Sequence, residues 1–226
     1  MQQGATDGAR RVVLFDFDGV LIRGDAFNLF LRQRFRRGGW RLLLALPLLP
    51  WLAVLACWRS GRLADGRLLV RCALFGVGEA RYQRLVDRFA AQLVHGSRRF
   101  SRDAIRALRD CERSGARVII VSGCEERLLR ALLGELGLGH VEVVATRLAR
   151  GWFGMHVAWH NIGAAKAKRL AEIGMEPPWA SAFSDAWADL PLLRGAQEAV
   201  LVNATPKLCK RVEKALGRSV TRVEWY

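Results

Sequence analysis

Metal-binding and redox motifs are scarce in this chain of 226 residues. The five cysteines are scattered and form no Cys-x-x-Cys pair, which argues against a zinc ribbon or a thioredoxin-like redox centre. The four histidines include no His-Glu-x-x-His motif. His156 and His160 are four residues apart, but that spacing builds a metal site on a helix and the segment predicts β structure. We interpret the cysteines as reduced thiols in a cytosol-facing protein.

Acidic residues are also few, with 21 Asp and Glu against 36 Lys and Arg and a formal net charge of +15. Such an excess favours an anionic partner: nucleic acid, anionic lipid or a phosphorylated substrate. Nucleic acid is not expected, because the basic residues surround an apolar insert and no aromatic-basic stacking motif occurs.

The polar start MQQGATDGAR lacks the apolar core of a secretory signal. Nothing in the sequence indicates an obligate protein partner.

Apolar runs alternate with amphipathic segments along most of the chain. The runs predict strands at 11–15, 117–121, 141–145, 180–183 and 199–202, and a β-hairpin over 147–159. Helices are predicted at 25–37, 63–94 (broken near Gly76 and Gly78), 101–114, 125–136, 166–173 and 207–216. This alternation predicts an α/β fold, a doubly wound Rossmann-like parallel sheet with helices on both faces.

One stretch has no strand pattern and interrupts this alternation. Residues 25–95 therefore predict a helical cap inserted after the first strand. The catalytic core would comprise residues 1–24 and 96–226.

The first strand ends in two acids, in VVLFDFDGV. Asp16 and Asp18 are two residues apart, so extended geometry points both carboxylates the same way at the carboxyl end of the sheet. Two carboxylates at one site repel unless a cation lies between them. Gly19 lets the chain turn away and leaves room for a phosphate. The pair indicates a hard cation such as Mg²⁺, with one acid free to act as a nucleophile.

The second strand and a later helix add two features. Ser122 and Gly123 follow the apolar run VIIV and precede a predicted helix, where a hydroxyl and backbone N–H groups can hold phosphate. Lys166 begins a helix and can neutralise both a phosphoryl oxygen and a nucleophilic carboxylate. Lys168 is a rival, but two residues along a helix it faces elsewhere.

The last feature is a second pair of acids, in FSDAWADLPLL. Asp185 follows a short strand, and Asp189 comes four residues later. A carboxylate pair there would complete an oxygen-rich metal site opposite Asp16.

In this order, the four segments from about residue 11 to 206 resemble the haloacid dehalogenase superfamily. The resemblance implies that Asp16 attacks phosphorus to form an aspartyl-phosphate, and that Asp18 protonates the leaving alcohol and then activates water. The phosphatases of the superfamily have Asp at the second acidic position of this motif, which is Asp18 in this chain. Val20 departs from the superfamily motif, in which Thr is commoner at this position. The position only supports the motif.

The same resemblance assigns the remaining residues. Ser122, Gly123 and Lys166 would bind the phosphoryl group. Asp185 would bind Mg²⁺ together with Asp16 and the main-chain carbonyl of Asp18, and Asp189 would support the site.

The insert contains an uncharged run of seventeen residues, 42–58, LLLALPLLPWLAVLACW. As a helix it would reach about 25 Å, against about 30 Å for a bilayer core, and Pro47 and Pro50 would kink it. A single crossing would separate Asp16 from the other site residues. We therefore expect a re-entrant or interfacial segment with arginines on anionic headgroups, rather than a core helix of a soluble cap.

Together with the site motifs, this insert resembles bacterial phosphatidylglycerophosphatase C. That resemblance implies an anionic phospholipid substrate, phosphatidylglycerol phosphate, which is converted to phosphatidylglycerol in phospholipid biosynthesis. It also implies a place at the bacterial inner membrane with the active site on the cytoplasmic side. The alternative is a soluble small-metabolite phosphomonoesterase of the phosphoserine phosphatase type. A catalytically idle membrane-binding module is a further reading, which the full set of acids disfavours.

Overall fold

The computed structural model describes residues 11–38 and 61–226, except for the side chains of 61–65. Seven strands form one sheet in the order β4-β3-β2-β1-β5-β6-β7. Neighbouring strands are parallel except for β3 and β4, which form an antiparallel hairpin. The strands are β1 (Val12–Phe15), β2 (Arg117–Glu125), β3 (Glu142–Gly151), β4 (Gly154–Trp159), β5 (Trp179–Ser184), β6 (Ala196–Val202) and β7 (Thr221–Val223).

The helices of the described residues connect these strands. They are α1 (Ala26–Arg37), α2 (Gly61–Ala73), α3 (Glu79–Gly96), α4 (Arg102–Arg113), α5 (Glu126–Glu135), α6 (Ala164–Glu172), α7 (Leu190–Gly195) and α8 (Pro206–Leu216), with a 3₁₀ turn at Trp187–Asp189.

Helices cover both faces of the sheet, as the alternation predicts. Val13 and Phe15 of β1 join a buried apolar cluster on one face, whereas Leu14 between them joins a second cluster on the other. This follows from the two-residue period of a strand. The first cluster includes α4 and α5, and the second includes residues of α6, α7 and α8. The α/β doubly wound prediction is confirmed.

The inserted helices share the first cluster with the core. Phe30 of α1 and Phe89 of α3 pack edge to face, with ring centroids 5.3 Å apart, inside the same cluster as Phe15. The hydroxyl of Tyr82 on α3 donates to Glu125 at the end of β2 (2.6 Å). Glu79 and Arg127 form a further ion pair between α3 and α5. The insert is therefore held to the sheet by buried apolar area and a buried hydrogen bond. The proposed division into residues 1–24, 25–95 and 96–226 stays a prediction.

Helix ends follow the capping residues of the sequence. The hydroxyl of Ser101 accepts from the backbone N–H of Ala104, and Gly115 follows α4 with φ +82°, as predicted. The carboxylate of Asp25 likewise caps α1 by accepting from the backbone N–H of Asn28.

The structure corrects several predicted boundaries. β2 continues to Glu125 and α5 begins at Glu126, so Ser122 and Gly123 lie in extended backbone rather than at the first turn of a helix. β3 continues to Gly151, because its second half pairs with β4. The sequence prediction missed α7 and β7, which are six and three residues long and too short to show a period.

Within 11–38 and 61–226, no helix combines the length and apolar character that a membrane crossing needs. The run 42–58, on which the membrane prediction depends, lies outside the described residues. That prediction therefore stays untested by the fold.

Candidate active site

Asp16 lies one residue past the end of the central strand. Its backbone N–H donates to the carbonyl of Phe183 on β5, so the pairing of β1 and β5 fixes its position. The side chain is 5% exposed. One carboxylate oxygen accepts from the backbone N–H of Phe17 (2.7 Å), and the other lies 3.0 Å from Nζ of Lys166. The carboxylate is thus buried and held beside a cation.

Lys166 joins two acids across the site. It lies in the first turn of α6, is 3% exposed, and donates to Oδ2 of Asp189 (2.8 Å) as well as lying beside Asp16. Ser184, the last residue of β5, donates its hydroxyl to the same oxygen of Asp189 (2.7 Å). Lys168 is exposed, as expected from its position on the helix. Asp189 therefore orients Lys166, which fits the supporting place assigned to it.

Asp18 is held by different partners. One oxygen accepts from the backbone N–H of Ala26 (2.8 Å), and the other accepts from the hydroxyl of Ser122 (3.3 Å). The oxygen of Ser122 in turn accepts from the backbone N–H of Cys124 (3.0 Å). These bonds connect the end of β1, the start of α1 and the end of β2.

Glycine at position 19 lets Asp185 approach the loop after β1. Gly19 has φ +78°, which other residues rarely adopt, and a Cβ there would lie 1.9 Å from Oδ2 of Asp185. Any side chain would therefore displace the carboxylate of Asp185 from the Asp16–Asp18 loop. The close contact places the two predicted pairs of acids at one edge of the sheet.

A cavity of about 390 Å³ opens at this edge. Six of the seven predicted site residues line it: Asp16, Asp18, Gly123, Lys166, Asp185 and Asp189. Ser122, the seventh, is fully buried behind the wall and contacts Asp18. The structure therefore brings together all the residues that the sequence selects.

Burial dominates the electrostatics of the cavity. It raises the pKa of Asp16 well above its ordinary value, and the ammonium of Lys166 opposes that rise. Burial, with a contribution from the charge of Asp25, raises the pKa of Asp18 to about 7. Burial alone would lower the pKa of Lys166, but Asp16 and Asp189 outweigh it and raise the pKa. An acid with a pKa near 7 exchanges protons readily at neutral pH.

Sequence comparison identifies the family of this chain. The family model of haloacid dehalogenase-like hydrolases matches residues 13–194, most of the chain. The chain belongs to this family. The predicted superfamily is thereby confirmed, and the site described above lies entirely within the matched residues.

Several solved structures have the same fold as this haloacid dehalogenase-like hydrolase. A protein of unknown function from Bordetella pertussis has a TM-score of 0.69 and 16% identity, covering 94% of this chain and 98% of its own. A phosphoserine phosphohydrolase-like protein from Francisella tularensis has a TM-score of 0.61 and 15% identity, covering 94% of each chain. A phosphoserine phosphatase in apo form has a TM-score of 0.58 and 17% identity, covering 90% of each. At these identities the likeness concerns the fold.

The donor atoms of the cavity fit the Mg²⁺ that phosphatases of this superfamily generally use. Asp16 and Asp185 present carboxylates, which are the hard oxygen ligands that Mg²⁺ prefers. Among the described residues, no three His, Cys, Asp or Glu side chains form a metal cluster. Mg²⁺ needs only one or two protein carboxylates, because other oxygens and water complete its shell.

Two residues of the site are not singled out by any sequence motif. Asp25 lines the cavity and contributes to the raised pKa of Asp18, although the sequence indicates only a helix start there. Ser184 holds Asp189, but a serine at the end of a strand is too common to be informative. The sequence signal for Asp25 is weak: it is an acid seven residues after Asp18, at the start of a predicted helix.

Proposed function

We propose that this hydrolase cleaves phosphate monoesters through a covalent phosphate on Asp16. The observation that supports this most is the pairing of a buried carboxylate with Lys166 (3.0 Å) at the floor of an open cavity. A nucleophile and a phosphate-binding cation are thereby preassembled, which is the arrangement that phosphoryl transfer needs.

In the first half-reaction, a carboxylate oxygen of Asp16 attacks phosphorus. The bond between phosphorus and the ester oxygen breaks as the acyl-phosphate bond forms. Asp18, in its protonated form, donates its proton to the departing oxygen, so that an alcohol leaves. Asp18 suits this task because its hydrogen bonds to Ala26 and Ser122 hold the carboxyl in place on the cavity wall.

In the second half-reaction, the carboxylate of Asp18 takes a proton from water, and the oxygen of that water attacks phosphorus. The acyl-phosphate bond breaks, inorganic phosphate leaves and the Asp16 carboxylate is restored. Asp18 regains from water the proton that it gave to the alcohol, and the phosphoryl group passes from the ester to Asp16 and then to water. No reactant other than water is therefore required.

Phosphate binding falls to the remaining residues of the site. Lys166 neutralises phosphoryl charge, and Gly123 also lines the cavity. Ser122 orients Asp18 and lies next to Gly123. Asp16, Asp185 and the main-chain carbonyl of Asp18 would hold Mg²⁺, which when bound supplies positive charge against the phosphoryl oxygens.

For the substrate, the comparisons favour a small soluble phosphomonoester. Several structural neighbours are named phosphoserine phosphatases, one of them with bound substrate and covering 96% of this chain. A cavity of about 390 Å³ also has the size of a small-metabolite site.

A phospholipid monoester is the second candidate, and the sequence supports it. The uncharged run 42–58 and the net charge of +15 suit an enzyme at an anionic membrane. Under this proposal the substrate is phosphatidylglycerol phosphate, at the inner membrane and from the cytoplasmic side.

One assay tests both candidates. Phosphate release is measured with Mg²⁺ for phosphatidylglycerol phosphate in mixed micelles, phosphatidic acid, phosphoserine and a chromogenic ester. A preference for phosphoserine establishes the small-metabolite assignment, and a preference for phosphatidylglycerol phosphate establishes the lipid assignment. If none of the four releases phosphate with the wild type, while the protein is folded and Mg²⁺ is present, the phosphatase proposal is wrong.

A further inference from the structure

The β3–β4 hairpin extends past the edge of the sheet on which the active site lies. β2 and β3 run in parallel as far as the pair Glu125 and Thr146. β3 then continues from Arg147 to Gly151, paired with β4 alone. Five residues of strand span about 17 Å. The turn at the tip therefore lies on the side of the molecule where the cavity opens.

The tip consists of exposed aromatic side chains. Trp152 is 101% exposed and Phe153 is 74% exposed. The ring of Phe153 stacks on that of Phe75, with centroids 6.1 Å apart and planes 8° apart, and Phe75 is itself 39% exposed. We call these three residues the aromatic tip. Adjacent exposed large aromatic rings on a folded domain mark a contact surface rather than a core.

The aromatic tip is held rigidly. The backbone N–H of Gly76 donates to the carbonyl of Phe153 (2.9 Å), and Phe75 forms a β-bridge with Gly154. Gly154 has φ +121°, and a Cβ there would lie 2.2 Å from the carbonyl oxygen of Leu74. The hairpin thus packs backbone to backbone on the connection between α2 and α3. The rings are displayed by a formed structure, so docking does not require a loop to become ordered.

Arginines surround the aromatic tip. Arg71 lines the hollow on one side of the hairpin, together with Trp152 and Phe153. Arg150 lines the hollow on the other side, and it borders a further hollow with Arg81 and Arg84. All four arginines are exposed. Among the ion pairs of the described residues, none involves these four.

The acidic residue that lines one of these hollows already has an ion-pair partner. Glu79 lies in the same hollow as Arg81 and Arg84 and pairs with Arg127. The surface around the aromatic tip therefore carries an excess of positive charge, in a chain whose net charge is +15.

We infer that the aromatic tip and its arginines form a docking surface for an anionic phospholipid bilayer. Trp and Phe partition into the boundary between headgroups and acyl chains, and arginines beside them bind lipid phosphates while their stems cover apolar surface. The turn is convex and two residues long, so it suits insertion into a fluid interface better than a fit to another folded protein. Docking of this kind turns the cavity edge toward the membrane. It does not depend on the catalytic proposal.

The test is whether Trp152 enters lipid. Full-length protein is mixed with vesicles of phosphatidylcholine and phosphatidylglycerol whose acyl chains are brominated, and tryptophan quenching is compared between wild type and Trp152→Phe. We expect a vesicle-dependent quenching component that Trp152→Phe removes. When the two proteins are compared at equal fractions bound to vesicles, the other seven tryptophans contribute alike to both, so the difference reports on position 152. The catalytically disabled Asp16→Asn should show the same component, which separates docking from turnover.

Substitutions measure the contribution of each part. Trp152→Ser with Phe153→Ser should weaken vesicle partitioning about tenfold, while Tyr226→Ser, an exposed aromatic at the chain end, should not. Arg81→Gln with Arg150→Gln should weaken it about fivefold per arginine at low salt, an effect that falls as salt increases. Arg102→Gln with Arg109→Gln is the matched control, because both are exposed arginines of α4 that belong to none of the ion pairs of the described residues.

Three results would overturn the inference. The first is equal quenching in wild type and Trp152→Phe together with unchanged partitioning of the Ser pair. The second is equal Trp152-specific quenching on vesicles without phosphatidylglycerol, which would remove the role of the arginines. The third is a loss of self-association or of oligonucleotide binding in the Ser pair without any change on vesicles, which would assign the surface to a second copy or to nucleic acid.

Discussion

Asp16 and Glu125 are both buried acids at the carboxyl edge of the sheet, yet their surroundings differ. Both are at most 5% exposed, and burial raises the pKa of both. One oxygen of Glu125 accepts from two donors, the hydroxyl of Tyr82 (2.6 Å) and the backbone N–H of Leu128 (2.9 Å). Asp16 instead has Lys166 on one side and a cavity of about 390 Å³ on the other.

The comparison separates a reactive acid from a structural one. A raised pKa follows from burial in either place, so it does not by itself indicate chemistry. What distinguishes Asp16 is room for a substrate and a cation that is shared between two acids. What distinguishes Glu125 is the hydrogen bond from Tyr82, which joins α3 to the core. Activity should therefore respond to changes at Asp16, and stability to changes at Glu125.

The largest expected effect is that of Asp16→Asn. Loss of the nucleophile should lower kcat/KM by on the order of 10⁴-fold or more, and the isosteric amide should leave the fold intact. Steady-state kinetics on the best substrate measures the loss, with Asp87→Asn on the exposed face of α3 as control. Activity of Asp16→Asn comparable to the control would place the nucleophile elsewhere.

Asp18→Asn should come next, with a loss of about 10²- to 10⁴-fold. The amide cannot donate a proton to the leaving oxygen or accept one from water. The loss should be larger for an alkyl phosphate than for a chromogenic aryl ester, because an aryl oxide leaves with less help from an acid. Equal losses on both kinds of ester would contradict the assignment of Asp18 to proton transfer.

Lys166→Met should affect stability as well as activity. Without the ammonium, Asp16 and Asp189 remain buried without their cation, and breaking such a pair lowers the free energy of unfolding by about 3–5 kcal/mol. Denaturant unfolding measures this, and Lys168→Met on the exposed side of the same helix should change it by less than about 0.5 kcal/mol. If the two variants are equally stable, Lys166 does not neutralise the buried acids.

Tyr82→Phe tests the structural half of the comparison. It removes the hydroxyl that donates to Glu125 and leaves only the backbone N–H of Leu128 on that oxygen. Loss of a buried hydrogen bond to an acid lowers the free energy of unfolding by about 1–3 kcal/mol. The kcat of the folded enzyme should stay the same. A large loss of kcat with unchanged stability would show that the pair belongs to the active site instead.

The smallest effect concerns the pH dependence of stability. Since the pKa of Glu125 is raised above 4.5 in the folded state, its contribution is fully present below pH 4.5 and is lost as the pH rises through the folded pKa. Glu125→Gln keeps an acceptor for Tyr82 and Leu128 but does not ionise. The variant should therefore gain stability relative to wild type as the pH rises, in paired unfolding measurements. A constant difference across the pH range would contradict this.

Much of the fold could be predicted because its signals are local. The strand of Val12–Phe15 is a short apolar run, and the cap of α4 is a serine followed by an amphipathic period, so each is legible within a few residues. The acids of the site were predictable for a related reason. A parallel sheet places the residues after its strands at one edge, and Asp16, Ser122 and Asp185 each follow a predicted strand.

The rest depended on contacts between distant segments. The packing of Gly154 on Leu74 joins a hairpin to helices eighty residues earlier. No short window of sequence contains this contact. The aromatic tip could not be predicted either. In the sequence, Trp152 and Phe153 resemble core residues, and only the structure shows that their hairpin extends past the sheet and exposes them.

Trapping the covalent intermediate tests the central claim most directly. Asp18→Asn enzyme is mixed with a chromogenic aryl phosphate and Mg²⁺, because an aryl oxide leaves with less help from an acid while water attack in the second half-reaction still lacks its base. The mixture is quenched with borohydride, which reduces an acyl phosphate to the alcohol. Peptide mass spectrometry then locates the reduced residue. The account predicts reduction at Asp16, absent when Asp16→Asn is added to the same protein. Reduction at another acid, or phosphate release by the wild type with no covalent intermediate on the protein, would contradict it.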